Sequence, residues 1–345
     1  MSTNASPAPH KPMPGDIALQ VSAGYIASIA LNVAVELNIP DRITDTPRSS
    51  AELAHEAGVN SEALYRILRL LASVGIFTET APHTFAHTPA SQTLRTGVAG
   101  SMRDLVRWWC DPFHFRIYAE LMHSVRTGQT CAEKITGMPV FEYFPTDLRE
   151  SEIFNHAMTS FSAIEVPAAL EVYDFSGIGT LVDIAGGHGQ MICTILQKYP
   201  QMRGVLTDLD HVLAGAAQAI RRAGLEDRCA LQTCDFFHTA PAGGDAYIMK
   251  HIIHDWDDPR ALTILRNIHK ALGEKKGKVI LLEMVMPPGN DPHPAKFLDI
   301  EMLTMVSGKE RTEAEFDELF DRAGFKLTRI LPTRSPVCVI EAVKI

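Results

Sequence analysis

The stretch Leu181 to Asp208, LVDIAGGHGQMICTILQKYPQMRGVLTD, admits few folds. An apolar run ending at Asp183-Ile184-Ala185 meets a turn of small residues, Gly186-Gly187-His188-Gly189. A helical pattern follows, with Met191, Ile192, Ile195, Leu196 and Tyr199 on one face. That order predicts a strand, a tight glycine turn and a helix. A second apolar strand, Gly204 to Thr207, ends at Asp208, and a carboxylate at the carboxyl edge of a parallel sheet suits a ribose diol. Glycines in the turn let a ligand approach the backbone closely. The stretch reads as a seat for a nucleoside, with a turn that only packs as the alternative.

The dinucleotide fingerprint GxGxxG needs a third glycine at the helix start, and here Gly189 is followed by Gln190, Met191 and Ile192. The pattern acidic-x-small-x-Gly-x-Gly fits better. It resembles the first motif of S-adenosylmethionine-dependent methyltransferases.

Beyond Asp208 strands and helices keep alternating. Strands are predicted at Cys229 to Thr233, Ala246 to Met249 and Lys278 to Glu283, with helices over HVLAGAAQAIRRAG and from Pro259 to Leu272. Thr312-Glu313-Ala314-Glu315 reads as a capping box opening a helix that Gly324 closes. The last two strands, Lys326 to Leu331 and Val337 to Val343, are joined by too few residues for a crossover helix, so they form an antiparallel hairpin. Seven strands result, an otherwise parallel, doubly wound sheet with an antiparallel edge.

The amino-terminal half is helical. Residues Ile17 to Leu37 are too apolar for a solvent-facing helix, and burial in the chain's own core or against a second chain is expected. Ser49-Ser50-Ala51-Glu52 is a capping box for a helix ended by Gly58, and Asn60 caps a second ended by Gly75. With the hairpin-like TETAPHTFAHTP this reads as helix-turn-helix plus wing. DNA readout would put basic and amide side chains on the second helix, but Arg66 and Arg69 are interspersed with Leu64, Ile67, Leu68, Leu70 and Leu71, which favours packing. Two aromatic groups follow: Trp108, Trp109, Phe113, Phe115 and Tyr118, then Phe141, Tyr143 and Phe144. They suit a flat apolar pocket or plain core equally. Pro167, or the loop at Gly177-Ile178-Gly179, is read as the border of the next domain. The expected division is a disordered leader at 1–15, a helical winged-helix dimerisation and pocket domain at 16–165, and a methyltransferase domain at 166–345.

At 345 residues, 46% hydrophobic and 21% charged, the chain has the composition of a soluble globular protein with a sizeable core. A net charge of -9 and no run of Lys and Arg speak against nucleic acid and anionic membrane as partners. Six cysteines show no CxxC pair and no spacing with His that would close a zinc site, so reduced, mostly buried thiols are expected. The polar, proline-rich start carries no signal-peptide core, and a cytoplasmic location follows by default.

Five motifs in order, DLDHV at 208–212, CDFF at 234–237, DAYIMKHIIHDWDD at 245–258, LLEMVMPP at 281–288 and GKERTEAEF at 308–316, make the chain similar to small-molecule O-methyltransferases. The plant caffeic acid type, bacterial polyketide and phenazine enzymes and animal hydroxyindole enzymes all resemble it, over nearly the whole chain. The resemblance implies a Rossmann-like methyltransferase domain behind a dimerisation domain. It also implies a homodimer, S-adenosyl-L-methionine as donor with S-adenosyl-L-homocysteine as product, a small aromatic hydroxyl as acceptor, and no metal.

The resemblance also assigns roles. His254 matches the general base, and Glu283 and Glu310 the carboxylates flanking it. Histidine suits the task, since a phenol attacks poorly until its proton is removed. His251, three residues upstream, is the rival base by spacing alone; only the resemblance selects His254. For the cofactor it implies Asp183, Ala185, Gly186 and Gly187 near the methionine portion, Asp208 with Leu209 at the ribose, Asp235 with Phe236 at the adenine, and Lys250 in contact. The usual GGGTG is here Ala185-Gly186-Gly187-His188-Gly189; alanine allows close approach if its φ is negative, and His188 stands where threonine is usual, in reach of the cofactor's carboxylate. Phe154, Met158 and Met302 match pocket positions. Asp258-Pro259 reads as an ordinary helix cap. Two other readings are hydroxylation or decarboxylation by a divergent member and a winged-helix transcription factor with S-adenosylmethionine as ligand.

Overall fold

The computed structural model describes Met13 and residues 15–345. The expected leader, residues 1–15, lies outside the described residues except for Met13 and Gly15. The chain forms two compact units that divide between His114 and Phe115. The border expected at 165/166 instead falls inside a helix of the second unit, Leu148–Val172, which runs through Pro167 without ending. A proline inside a helix removes one hydrogen bond, and the many apolar contacts of this helix carry it across: Val166, Ala168 and Ala169 are buried on either side.

In the first unit, the helix Asp16–Glu36 opens the described chain. Of its residues only Ala30, Ala34 and Val35 are buried, while Ile17 (72%), Leu19 (68%) and Val21 (74%) stay exposed, as do Tyr25 and Ile26. Its own core therefore does not cover its first half. Among the described residues it is the one helix long and apolar enough to cross a membrane by length and composition. Ser49 closes a capping box with Glu52 over Ser50–Ala57, Gly58 ends that helix at φ 67°, and Asn60 caps Ser61–Ser73. Leu64, Leu68 and Leu71 bury one face of the latter against Phe77 and Phe85. The wing is a small antiparallel sheet of β1 (Arg48–Ser49), β2 (Phe77–Ala81) and β3 (Thr84–His87), with β3 in the middle. The aromatic stretch around Trp108 lies on the short helices Arg103–Trp109 and Pro112–Tyr118, where Pro112 restarts the chain.

The second unit is a seven-stranded sheet. Its strands are β4 (Thr180–Ile184), β5 (Arg203–Asp208), β6 (Cys229–Thr233), β7 (Ala246–Lys250), β8 (Lys278–Glu283), β9 (Phe325–Pro332) and β10 (Cys338–Lys344), in the order β6-β5-β4-β7-β8-β10-β9. Strands β4 to β8 run parallel; β10 is antiparallel to both neighbours. Both faces are covered, as parallel sheets require. Leu181, Leu206, Ile248 and Ile280 join Ile192 and Leu196 on one side. Val182, Ile184, Tyr247 and Val279 join Ile264, Leu265 and Phe320 on the other. The chain leaves β4 toward β5 on one side and returns to β7 on the other, so the sheet order switches between β4 and β7. Ligand crevices form at that switch, outside the carboxyl ends of the strands.

Candidate active site

The glycine turn sits at the carboxyl end of β4. The Gly186 N–H donates to the Thr207 carbonyl at 3.0 Å, and the Gly187 N–H donates to Asp208 Oδ2 at 2.9 Å. The other Asp208 oxygen accepts from the N–H of Leu209, half-exposed at the head of the helix Asp210–Arg222. Gly186 has no room for a side chain, since a Cβ there would stand 2.5 Å from Asp183 Cγ and overlap Leu206. Ala185 departs from expectation. It adopts φ 54°, the left-handed region, because the turn fixes the backbone on both sides of it. His188 lays its ring over Gly215, where an added Cβ would meet Nε2 at 2.9 Å. It lines a cavity of about 330 Å³ with His156, Glu152, Asn155 and Ser151.

Asp183 is fully buried beneath this turn, and neither carboxyl oxygen has a hydrogen-bond partner. Burial, then the nearby Asp208, push its carboxyl up to about 8. Burial likewise raises Asp208, against the amides of Leu209 and Gly187. Asp235 accepts from the Phe237 N–H and from His238, and Phe236 packs against Phe237 and Trp256. Lys250, at the end of β7, places Nζ 3.7 Å from Glu165.

The next strand ends build the second centre. After β7 the chain turns through His251, at φ 53°, into the short helix Ile253–Asp255. Glu283, the last residue of β8, is fully buried, and its Oε1 accepts from the N–H groups of Ile252 and Ile253 at 3.1 and 2.9 Å. It therefore holds the turn that carries His254. His254 Nδ1 lies 2.6 Å from Glu310 Oε1 and 3.6 Å from Glu283 Oε2, while Nε2 lies 3.4 Å from Asp255. Burial works against a charged imidazole here, but Glu283, Glu310 and Asp255 together overcome it and raise His254 to about 10. Asp255 is itself pushed up to about 7, by burial first and then by Glu283 and Glu310, His254 opposing.

The loop bearing Glu310 is clamped to this turn. Gly308 passes so close to the His254 carbonyl that no Cβ fits, and the Lys309 N–H donates to that carbonyl at 2.9 Å. Arg311, fully buried, donates to the carbonyls of Ile253 and Trp256 and pairs with Asp258 at 2.8 Å. Asp257, not Asp258, caps the helix Asp258–Ala271. Asp258 serves Arg311 instead.

Of the expected pocket residues, Phe154 stacks on Phe144 at 4.8 Å with Phe141 edge-on, Met158 is partly buried on the same helix, and Met302 packs with Met284, Leu298 and Val337. Sequence reasoning missed Glu165, whose carboxylate meets His251 Nε2 at 2.9 Å, as well as Asp255 and Arg311. The available signal for Glu165 was a lone acid in the apolar run Ala163-Ile164-Glu165-Val166.

A sheet of this order, with a glycine turn over a buried acid at the switch and a carboxylate-flanked histidine one strand along, has the architecture of the methyltransferase class. Residues 118–326 match the model of the O-methyltransferase domain and residues 19–97 that of the O-methyltransferase dimerisation domain, and the chain belongs to this O-methyltransferase family. It is 39% identical to phenazine O-methyltransferase PhzM of Lysobacter antibioticus, over 94% of this chain and 95% of that one. It is 36% identical to the mitomycin biosynthesis 6-O-methyltransferase of Streptomyces lavendulae, over 90% and 89%. Among solved structures, the neocarzinostatin-biosynthesis O-methyltransferase NcsB1, in complex with S-adenosyl-L-homocysteine and 1,4-dihydroxy-2-naphthoic acid, superposes with TM-score 0.79. The identity is 30%, over 97% of this chain and 100% of that one.

Proposed function

We propose that this chain moves a methyl group from S-adenosyl-L-methionine to a phenolic hydroxyl of an aromatic secondary metabolite, with His254 as general base. The observation that carries the reading is the buried His254–Glu310 pair at 2.6 Å, backed by Glu283. Proton transfer from a phenol, with an ordinary pKa of about 10, to an imidazole raised to about 10 is close to balanced. Glu310 orients the ring and stabilises its protonated form, as the acid of a hydrolase triad does. Glu283 keeps the turn in place through two backbone amides.

The residues at the β4 turn fit the cofactor. When bound, it supplies a methyl group on a cationic sulfur. Asp183, buried with both oxygens unpartnered, is a carboxyl group whose ionised form a bound cation would favour, and Gly187, where a Cβ would meet nothing within 4 Å, leaves the backbone open to close approach. Asp208 and Leu209 would hold the ribose, Asp235 and Phe236 the adenine, and Ala185, Gly187 and Lys250 the methionine portion. Phe154, Met158 and Met302 would line the acceptor pocket. A homodimer would cover Ile17, Leu19, Val21 and Tyr25 of the helix Asp16–Glu36, a patch too apolar to leave in water.

Isothermal titration of the purified chain with S-adenosyl-L-methionine and S-adenosyl-L-homocysteine tests the cofactor, and mass-shift assays on phenols, naphthols and hydroxyindoles test the transfer. Micromolar binding of both and one added methyl on a phenol are expected. Binding of neither would overturn the cofactor assignment. Binding without transfer to any phenol would overturn the acceptor class and favour hydroxylation or decarboxylation.

A further inference from the structure

Two buried imidazoles face each other just past β7, with the rings of His251 and His254 4.9 Å apart. Each has one nitrogen committed to a buried carboxylate: His251 Nε2 to Glu165 at 2.9 Å and His254 Nδ1 to Glu310 at 2.6 Å. The other nitrogen of His254, Nε2, faces the Asp255 carboxylate at 3.4 Å. His251 Nδ1 is buried without a hydrogen-bond partner, and so is Glu283 Oε2. One ligand atom from each of His251, His254 and Glu283 lies within 4.8 Å of the other two. The methyl-transfer reading gives His251 no task.

We propose that His251, His254 and Glu283 form a binding site for a divalent transition-metal ion such as zinc, and that its occupancy blocks methyl transfer. Two imidazoles and one glutamate with a fourth position open is a zinc donor set. Zinc holds nitrogen and oxygen donors at about 2.0–2.2 Å, which puts tetrahedral ligands roughly 3.4 Å apart, so side-chain rotations of about 1 Å close the triad. A carboxylate on the far nitrogen of a ligating histidine fixes its tautomer and raises its basicity, and Glu165 already stands there for His251. Glu165, Glu283, Glu310 and Asp255, the last 3.4 Å from His254 Nε2, surround the site with acidic groups, offset nearby by Lys250, 3.7 Å from Glu165. An ion held here takes the lone pair with which His254 would accept the acceptor's proton. Binding rests on this geometry alone, whereas inhibition rests on the role proposed above for His254.

The test titrates the purified full-length chain, free of cofactor and acceptor, with zinc by calorimetry and with cobalt(II) by visible absorption. One tight ion per chain and a tetrahedral cobalt spectrum are expected. His251→Asn, a residue that tolerates positive φ, should weaken zinc by more than about a hundredfold and abolish that spectrum. Glu165→Gln should weaken zinc about 10–100-fold. Thermal unfolding near the wild-type temperature qualifies each variant. Absence of stoichiometric binding, or an unchanged cobalt spectrum in folded His251→Asn, overturns the site. Zinc bound at this site without loss of turnover supports the site and overturns the block, and with it the role of His254.

Discussion

The turn over Asp183 and the cluster around His254 stand at strand ends of one sheet and treat buried charge in opposite ways. Beneath the turn a carboxyl group lies with no partner on either oxygen, raised to about 8 by burial and by Asp208. Around His254, Glu310 hydrogen-bonds the ring, Glu283 ties down two amides, and the imidazole rises to about 10. The first centre leaves its carboxyl without a hydrogen-bond partner, and in the proposed function a cationic cofactor completes it. The second already contains its counter-charges and holds a proton. In the proposed function, the binding centre and the proton-transfer centre are told apart by what each leaves unsatisfied.

The sharpest way to separate them is to remove one function at a time. His254→Ala should lower turnover about 10²–10⁴-fold, the usual worth of a general base, while calorimetry finds cofactor affinity within about twofold of wild type. Unchanged turnover would remove the base from His254. The mirror experiment is Gly186→Ala, whose Cβ collides with Asp183 and Leu206. By pushing Asp183 and the turn out of place it should weaken the cofactor by about tenfold or more, ~1.4 kcal/mol of binding, and leave the rate at saturating cofactor nearly intact.

A smaller effect concerns pH. His254 must be neutral to act, so kcat/KM should climb with pH well past the 6.5 of an ordinary histidine toward about 10. Glu310→Gln removes one of the charges that raise this group, and the climb should shift to lower pH. Linkage gives the matching sign for stability. The protonated imidazole stabilises the fold fully below about pH 6.5, and this contribution is lost as pH rises through about 10. In Glu310→Gln the loss should begin earlier, which thermal melts across pH would record. A climb centred near 6.5 in the wild type would mean that the carboxylates do not act on this ring.

The smallest effect is at Ala185. Its φ of 54° costs an L-residue roughly 1–2 kcal/mol, partly offset by the greater freedom glycine has when unfolded. Ala185→Gly should therefore raise stability by about 0.5–1 kcal/mol in denaturant unfolding. A loss would show that the alanine methyl packs usefully in the turn.

Much of this was legible beforehand. Strand, glycine turn, helix and Asp208 followed from periodicity and from the stereochemistry of glycine, both of which act over a few residues. The capping boxes at Ser49 and Thr312 followed for the same reason. His254, Glu283 and Glu310 were placed by resemblance, whereas spacing alone left His251 as a rival. The division of the chain was not legible, because Pro167 looked like a stop and packing carried the helix across it.

Sequence by itself determined the alternation of elements, the small residues at the turn and the supply of acids and histidines, since hydrophobic period and backbone stereochemistry are local. Tertiary structure alone decided that β10 enters between β8 and β9, that Ala185 is held in the left-handed region, and that Glu165 reaches His251 from a helix far upstream. It also brought Gly308 against the His254 carbonyl so that Glu310 meets the ring. Those outcomes depend on which surfaces pack together across long stretches of chain, and no window of neighbouring residues contains that information.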